Sequence, residues 1–509
     1  MSVWDTVEPY LELVTPAGAL FGPLLSIVTI AWVLLTKKNS TSAVAWCLLI
    51  FFLPLLGPLF FLLFGWQHVN RPLRRKREQR EVFERTHSSR ARPSSVNLDT
   101  PDDVKEDLSS GESGQESLSS SESVLPADWQ TLERLARRCG SFPATMGNHA
   151  AIYNEGQSAF DAMLDAIRSA RHHIHLETFI FQRDATGRQF LDALTKKARE
   201  GVQVRLLYDA MGTHRLKREI LQSLREAGGR CSPFLPLNPF RRRIQVNMRN
   251  HRKLLIVDGK VGFTGGLNVG DEYRGQVARF GFWRDTHIRL EGPAVSELQW
   301  VFLEDWDFAA RENLSWADYF PSHAADGDVG VQVISSGPDR EMKGIREMYF
   351  AAILRARKRV WIATPYFVPD DGLLDALCLA GYQRIDVRVL GLYYPDKWIP
   401  YFAGRYYWSE VLNAGVKVYQ YTKGMMHSKV VLVDGEWASV GTANMDNRSL
   451  HLNFEVNCLI YSPAVAAELE RAFLDDLQSA IRLDRHVFSR RPFAGRLLDN
   501  ACRLLSPVL

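Results

Sequence analysis

From Leu13 to Thr36 the chain carries no charged side chain, and after Lys37 and Lys38 a second uncharged run extends from Asn39 to Asn70. The second run is most apolar between Ala43 and Trp66. As a helix, the 24 residues of the first run reach about 36 Å, enough for a hydrocarbon core of about 30 Å. Two adjacent runs of this length predict a transmembrane helical hairpin over residues 13–36 and 43–66. Pro54, Gly57 and Pro58 would break a soluble helix, but membrane spans tolerate such residues. A secretory signal peptide fits less well, because Asp5, Glu8 and Glu12 stand where a basic segment belongs. The stretch RPLRRKREQR follows from Arg71 to Arg80. By the positive-inside rule it puts this end of the hairpin, and with it the N-terminus, in the cytoplasm of an inner-membrane protein. The Lys37–Lys38 pair opposes that orientation and is the smaller cluster. The same arginines offer contacts to anionic headgroups.

Residues 71–127 are expected to form a basic juxtamembrane segment and a disordered linker. From Thr86 to Ala127 the chain is rich in serine and acid, with too few apolar residues to offset its ordering entropy. Globular patterning starts at Asp128. Helical periodicity over Ser158–Ala170 leads into the strand pattern HHIHLETFIF, and a helix over Gln189–Arg199 into VQVRLLYDA. The order recurs further on. Arg346–Arg355 reads as helix, VWIATPYFV as strand, Gly372–Leu379 as helix and IDVRVLGLY as strand. These alternations predict an α/β (α+β) fold of two repeats, over 128–325 and 326–509, with mixed sheets flanked by helices and a pseudo-two-fold relation.

A motif repeats in the same register. Residues 250–268 read NHRKLLIVDGKVGFTGGLN, and residues 427–444 read HSKVVLVDGEWASVGTAN. His251 and His427, Lys253 and Lys429, Asp258 and Asp434, and Asn268 and Asn444 are each 176 positions apart. In both copies two apolar strands flank an Asp-Gly, a strong hairpin-turn signal. Residues two apart on a strand share a face, so each His and its Lys point to one side. Asp258 and Asp434 belong to the candidate catalytic set by motif, yet their place at the turn favours a role in fixing the turn or neutralising a Lys. Brought together, the copies supply two imidazoles, two ammonium groups and two amides. Such a set suits phosphate oxygens and a two-step displacement through a covalent histidine. A Lys between the candidate ligands argues against a metal centre, and the chemistry calls for no cofactor.

Composition narrows the field. The net charge of +4 and the lack of a broad basic surface speak against a nucleic-acid partner. The six cysteines are scattered without a C-x-x-C pair, which fits neither a zinc site nor a disulfide framework. Oligomeric state is not legible.

The paired motifs resemble the phospholipase D superfamily. The stretches FWRDTHIRLEGPAV, TPYFVPDDGLLDAL and the terminal LLSPVL resemble, within it, the bacterial cardiolipin synthases, as does the apolar hairpin. The resemblance implies a membrane phosphatidyltransferase acting on phospholipids. Two phosphatidylglycerol molecules would give cardiolipin and glycerol through a phosphohistidine. A phospholipase D-type hydrolase, or a transferase with another donor such as phosphatidylethanolamine, is the alternative. It also implies that His251 and His427 are nucleophile and acid/base, with His251 favoured as nucleophile, and that Lys253, Lys429, Asn268, Asn444 and Thr442 bind the substrate phosphate. Asp285 and Glu455 would be the supporting carboxylates that orient the histidines. Gly266 stands where the second motif has Thr442, so the two halves are expected to differ.

Overall fold

A computed structural model describes residues 22–37, 40–62, 70–87, 125, 127–213, 220–236, 248–312, 314 and 317–509. Residues 1–75 and 76–509 form two compact units.

In the first unit a helix over 22–36 precedes a helix over Ser40–Phe52, a turn, and a short helix over Leu56–Phe60. Val33, Ala43, Ile50 and Phe61 form its small core. Gly57 permits the close approach, since a Cβ there would lie 2.6 Å from the Ile50 Cα. Outside that core the surface is apolar, with Leu24, Ile27, Leu35, Val44, Phe51 and Phe52 exposed. The second expected span is interrupted at residues 53–55. Among the described residues no helix is long and apolar enough to cross a membrane. Residues 13–21 of the first expected span and 63–66 of the second lie outside the described residues, as do residues 88–124 of the expected linker.

In the second unit strands β1 (Thr145–Glu155), β2 (His173–Thr178), β3 (Gln203–Asp209), β4 (Arg230–Phe234), β5 (Leu254–Val257), β6 (Val261–Gly265) and β7 (Phe282–Glu291) come from the first half. The second half supplies β8 (Val329–Ser336), β9 (Arg359–Ala363), β10 (Phe367–Val368), β11 (Asp386–Leu392), β12 (Lys417–Tyr421) and β13 (Gly424–Met426). It continues with β14 (Val430–Val433), β15 (Trp437–Gly441), β16 (Met445–Asp446), β17 (Glu455–Tyr461) and β18 (Ala480–Arg482). Most of them join one mixed sheet, in the order β18-β12-β11-β9-β14-β15-β17-β8-β1-β7-β6-β5-β2-β3-β4. Outward from the β1–β8 seam the two halves follow the same plan: β1-β7-β6-β5-β2-β3-β4 matches β8-β17-β15-β14-β9-β11-β12. The seam is antiparallel, with Asn148 opposite Val329. Strands β2, β5, β14 and β17 are buried along their whole length, as the continuous apolar runs of β5 and β14 predict for a sheet covered on both faces.

The helices begin where local chemistry starts them. Asp184 caps the helix Ala185–Arg199 through the Gly187 N–H at 2.9 Å, so that helix opens earlier than its apolar periodicity suggests. Asp370 caps Asp371–Tyr382 in the same way, and Ser462 precedes the first-turn proline of Pro463–Gln478.

The basic stretch after residue 70 is helical over Asn70–His87, and three of its cations are committed to protein rather than lipid. Lys76 is buried and donates to Glu304 at 3.0 Å and Asp305 at 2.8 Å. Arg80 donates to Asp339, and Arg77 to Glu341 and the Asp339 carbonyl. The expected headgroup contacts are therefore corrected for these residues. The acids that take them lie far ahead in sequence and were not legible as partners.

Candidate active site

The Asp-Gly of each motif makes a turn with two positive φ values: Asp258 at 54° and Gly259 at 65°, Asp434 at 57° and Gly435 at 75°. Lys260 N–H closes one turn on the Val257 carbonyl at 2.9 Å, and Glu436 N–H the other on Val433 at 3.1 Å. This conformation matches the twist of a tight hairpin and is why Asp-Gly recurs. The Asp258 carboxylate accepts the backbone N–H groups of Arg171, His172 and His173. Asp434 does the same for Arg357, Lys358 and Arg359. Both aspartates thus tie the hairpin to the start of β2 or β9, the turn-fixing role that their position in the motif favours. Each sits at the far end of a strand from its His, with its acceptor oxygens spent on backbone.

The histidines hang on the opposite half. His251 N–H donates to the Phe454 carbonyl at 2.9 Å, and Phe454 N–H to Arg249 at 2.9 Å. His427 N–H donates to the Arg284 carbonyl at 2.7 Å, next to the parallel pairing of β13 with β7. The side chains follow the same exchange. His251 Nδ1 lies 3.0 Å from both oxygens of Glu455, on β17. His427 Nδ1 lies 2.7 Å from Asp285, on β7. Each carboxylate braces the histidine of the other half. With Nδ1 so engaged, Nε2 of each ring is the nitrogen left for chemistry.

The two braces are not equivalent. Thr442 donates to Glu455 Oε2 at 2.5 Å and Asn453 to Oε1 at 3.3 Å. The Thr442 hydroxyl, expected at the phosphate, donates to Glu455. Gly266 takes the matching position in the first half because a Cβ there would lie 2.0 Å from an Asp285 oxygen. Asp285 instead accepts from its neighbour Thr286 N–H at 2.8 Å. Burial pushes the Glu455 carboxyl up to about 7, against the pull of Lys253 and Thr442. Burial acts on Asp285 as well, but the charge and hydrogen bond of His427, with Lys429, outweigh it and hold that carboxyl below its ordinary range.

Lys253 and Lys429 are buried beside their histidines. Each Nζ donates to the carbonyl of its own motif histidine, at 2.6 Å and 2.5 Å, which the two-residue spacing permits. Burial lowers Lys253 to about 7 and Lys429 to about 8, with Glu455 and Asp285 respectively pulling back upward. His427 falls to about 4 through burial and the Lys429 charge. His251 falls well below its usual value through burial and the charges of Lys253, Lys429 and His427. Four basic groups crowd a dry site with too little negative charge beside them, an arrangement that favours an entering anion.

Asn268 and Asn444 shape the loops beside the site. Asn268 Oδ1 accepts from Ile180 N–H at 3.1 Å and its amide donates to Tyr273 OH at 2.9 Å. The Asn444 amide donates to Asp446 at 3.1 Å. One N–H of each is thereby spent on protein. Further side chains complete the surroundings of the site. Phe179 lies 5.1 Å from the His251 ring, and Trp283 5.2 Å and Tyr273 6.2 Å from that of His427. Tyr366 donates to Asp396 at 2.6 Å. Thr286 and Ser428 join the halves through a 2.6 Å hydroxyl bond. Arg252, between the motif His and Lys, is buried on the other face, where it pairs with Asp305 and donates to the carbonyls of Glu455 and Ser336. His173 and His175 share Gln299.

Comparison with known proteins follows the same division. A family model described as "Cardiolipin synthase, PLD-like domain" matches residues 163–276 and 349–477, and one described as "Phospholipase_D-nuclease N-terminal" matches 24–66. The chain is 47% identical to a cardiolipin synthase of Geobacillus kaustophilus over 74% of this chain and 76% of that one. It is 42% identical to that of Geobacillus thermodenitrificans over 95% and 92%, and 37% identical to that of Staphylococcus aureus over 97% and 96%. The crystal structure of phosphatidylserine synthase from Haemophilus influenzae shares the fold, with a TM-score of 0.55 at 16% identity, over 74% of this chain and all of that one.

Proposed function

The chain belongs to the cardiolipin synthase family with phospholipase D-like domains, and we propose that it joins two phosphatidylglycerol molecules into cardiolipin and free glycerol through a phosphohistidine. The observation that carries the reading is the exchanged pairing of each motif histidine with a carboxylate of the other half.

His251 Nε2 attacks the phosphorus of the first lipid while His427, as imidazolium, gives its proton to the departing glycerol oxygen. Glycerol leaves and the phosphatidyl group stays on His251. His427, now neutral, takes the proton of a hydroxyl on the second lipid. That oxygen attacks phosphorus, the N–P bond breaks, and cardiolipin departs with both histidines restored. The assignment of His251 as nucleophile rests on the unequal braces. Asp285 keeps its charge and so favours a protonated His427 once the substrate anion offsets the burial and Lys429 charge that otherwise hold that ring near 4, whereas Glu455, raised to about 7, gives His251 the weaker counter-charge. Lys253 and Lys429, charged again once a phosphodiester enters, stabilise the extra negative charge of the transition state. Asn268 and Asn444 hold the loops and offer their second amide N–H to phosphate.

In this reading residues 128–325 and 326–509 are the two phospholipase D-like repeats. Residues 13–36 and 43–66 anchor the enzyme in the cell membrane as a hairpin, with the basic stretch and catalytic region cytoplasmic. The uncharged runs and the exposed apolar surface of the first unit support the anchor. The test is to give the purified full chain labelled phosphatidylglycerol in vesicles and separate the lipids. Cardiolipin with one glycerol released per molecule is expected. Phosphatidic acid without cardiolipin would refute the reading.

A further inference from the structure

The C-terminal helix Phe493–Arg503 is turned inside out. Its acid, Asp499, is 1% exposed and pairs with Arg405 and Arg491, while Phe493 is 71% exposed and Leu497 57%. Leu504, just past its end, is 75% exposed. At 100° per residue Phe493, Ala494, Leu497, Leu498, Ala501 and Leu504 form one outward arc. A soluble helix puts that arc inward. Here the ion pairs of Asp499 hold it outward.

Within the terminal segment itself the surface charge is of one sign. From Arg485 to Leu509 there are five arginines and a single acid, the buried Asp499. Arg490, just ahead of the helix, and Arg496, within it, are exposed. The helix packs on Trp398–Asn413, whose first residue, Trp398, is 64% exposed beside the exposed Ile399. That helix starts just after Asp396 and Lys397. Asp396 takes the Tyr366 hydroxyl, and Lys397 Nζ lies 5.4 Å from the Tyr366 ring. The exposed start of that helix thus lies beside residues that adjoin the catalytic site, where Lys397 acts on His251 and Asp396 on Lys429.

An apolar arc flanked by arginines, with an exposed tryptophan, is the signature of a helix lying in a lipid interface. We propose that the outward face of Phe493–Arg503, with Trp398 and Ile399, docks on an anionic bilayer and seats the catalytic region where its substrate lies. The inference rests on the lipid-substrate reading above for its purpose, though not for its test.

The full chain is reconstituted in vesicles of phosphatidylglycerol and phosphatidylcholine with the photo-crosslinker p-benzoylphenylalanine in place of Phe493. Irradiation should yield protein–lipid adducts, fewer in vesicles of phosphatidylcholine alone. Crosslinks only to a second copy, only to residues 1–75, or none would overturn the proposal. In parallel the exposed pair is changed, Phe493→Ser with Leu497→Ser. On vesicles dilute in phosphatidylglycerol the variant should turn over about fivefold more slowly, while a short-chain phosphatidylglycerol dissolved as monomers reacts at the parent's rate. Equal rates on vesicles, or an equal loss on both substrates, would overturn it. If the parent converts no phosphatidylglycerol in either form, the functional reading fails while the crosslinks still decide the docking.

Discussion

The site's asymmetry lies in single side chains, and single substitutions expose it. His251→Ala and His427→Ala should each lower turnover at least about a thousandfold, because residues that act as a unit fail together. Both variants should remain in the membrane fraction. Glu455→Gln should act on the pH profile. Below about 7 the Glu455 carboxyl holds its proton, so kcat/KM of the parent should fall as pH drops through that value. The variant should lose that limb, and Asp285, held low by His427, adds none there. The same substitution should stabilise the protein more at pH 8 than at pH 5. Folded Glu455 keeps its proton to about 7, whereas an ordinary carboxyl gives it up near 4.5. Between these values the folded state binds more protons, and stability falls as pH rises. The difference should be a few degrees in Tm by scanning calorimetry in detergent. Asp258→Ala should cost about 2 kcal/mol of stability by leaving three backbone N–H groups without their acceptor, yet leave kcat of the folded enzyme within about threefold of the parent. The histidines and lysines were legible from the repeat itself. The duty of Thr442 was not, because a hydroxyl in a motif looks the same whether it faces phosphate or carboxylate. Gly266 became explicable only with Asp285 beside it.

At the scale of elements, hairpin chemistry was readable and long-range pairing was not. Asp-Gly announced both turns. Nothing in RPLRRKREQR revealed that Lys76 would be buried against Glu304 and Asp305, 228 and 229 residues away. That contact matters for the site. Asp305 also pairs with Arg252, and Arg252 holds the carbonyls of Glu455 and Ser336. Burial alone would lower Lys76, and the charges of Asp305 and Glu304 more than offset it. Lys76→Ala takes one cation from two buried carboxylates, leaving Asp305 to Arg252 and Glu304 to Arg340, and about 3 kcal/mol of stability should be lost. Thermal inactivation of the full chain in detergent should show it. A variant as durable as the parent would mean the cluster contributes little. Helix Ala294–Ala310, buried almost throughout, hides these acids in a sequence that reads as an ordinary amphipathic pattern.

At the scale of the molecule, duplication could be inferred from the constant register of the motifs, and the sheet displays it as two equal strand orders about the β1–β8 seam. The exchange of braces across the halves was not inferable, because register within a repeat says nothing of which strand faces which loop. The membrane arrangement has its own check. A reporter fused at Leu509 of the full chain should read as cytoplasmic, and an external reading would overturn the orientation. The central claim is that both halves build one site in which His251 carries the phosphatidyl group. The most direct measurement is to mix the full chain with phosphatidylglycerol labelled at phosphorus, quench in alkali, digest and map the label. The account predicts label on His251, absent from His251→Ala. Label on His427 or on neither histidine, or equal labelling of His251→Ala, would contradict it.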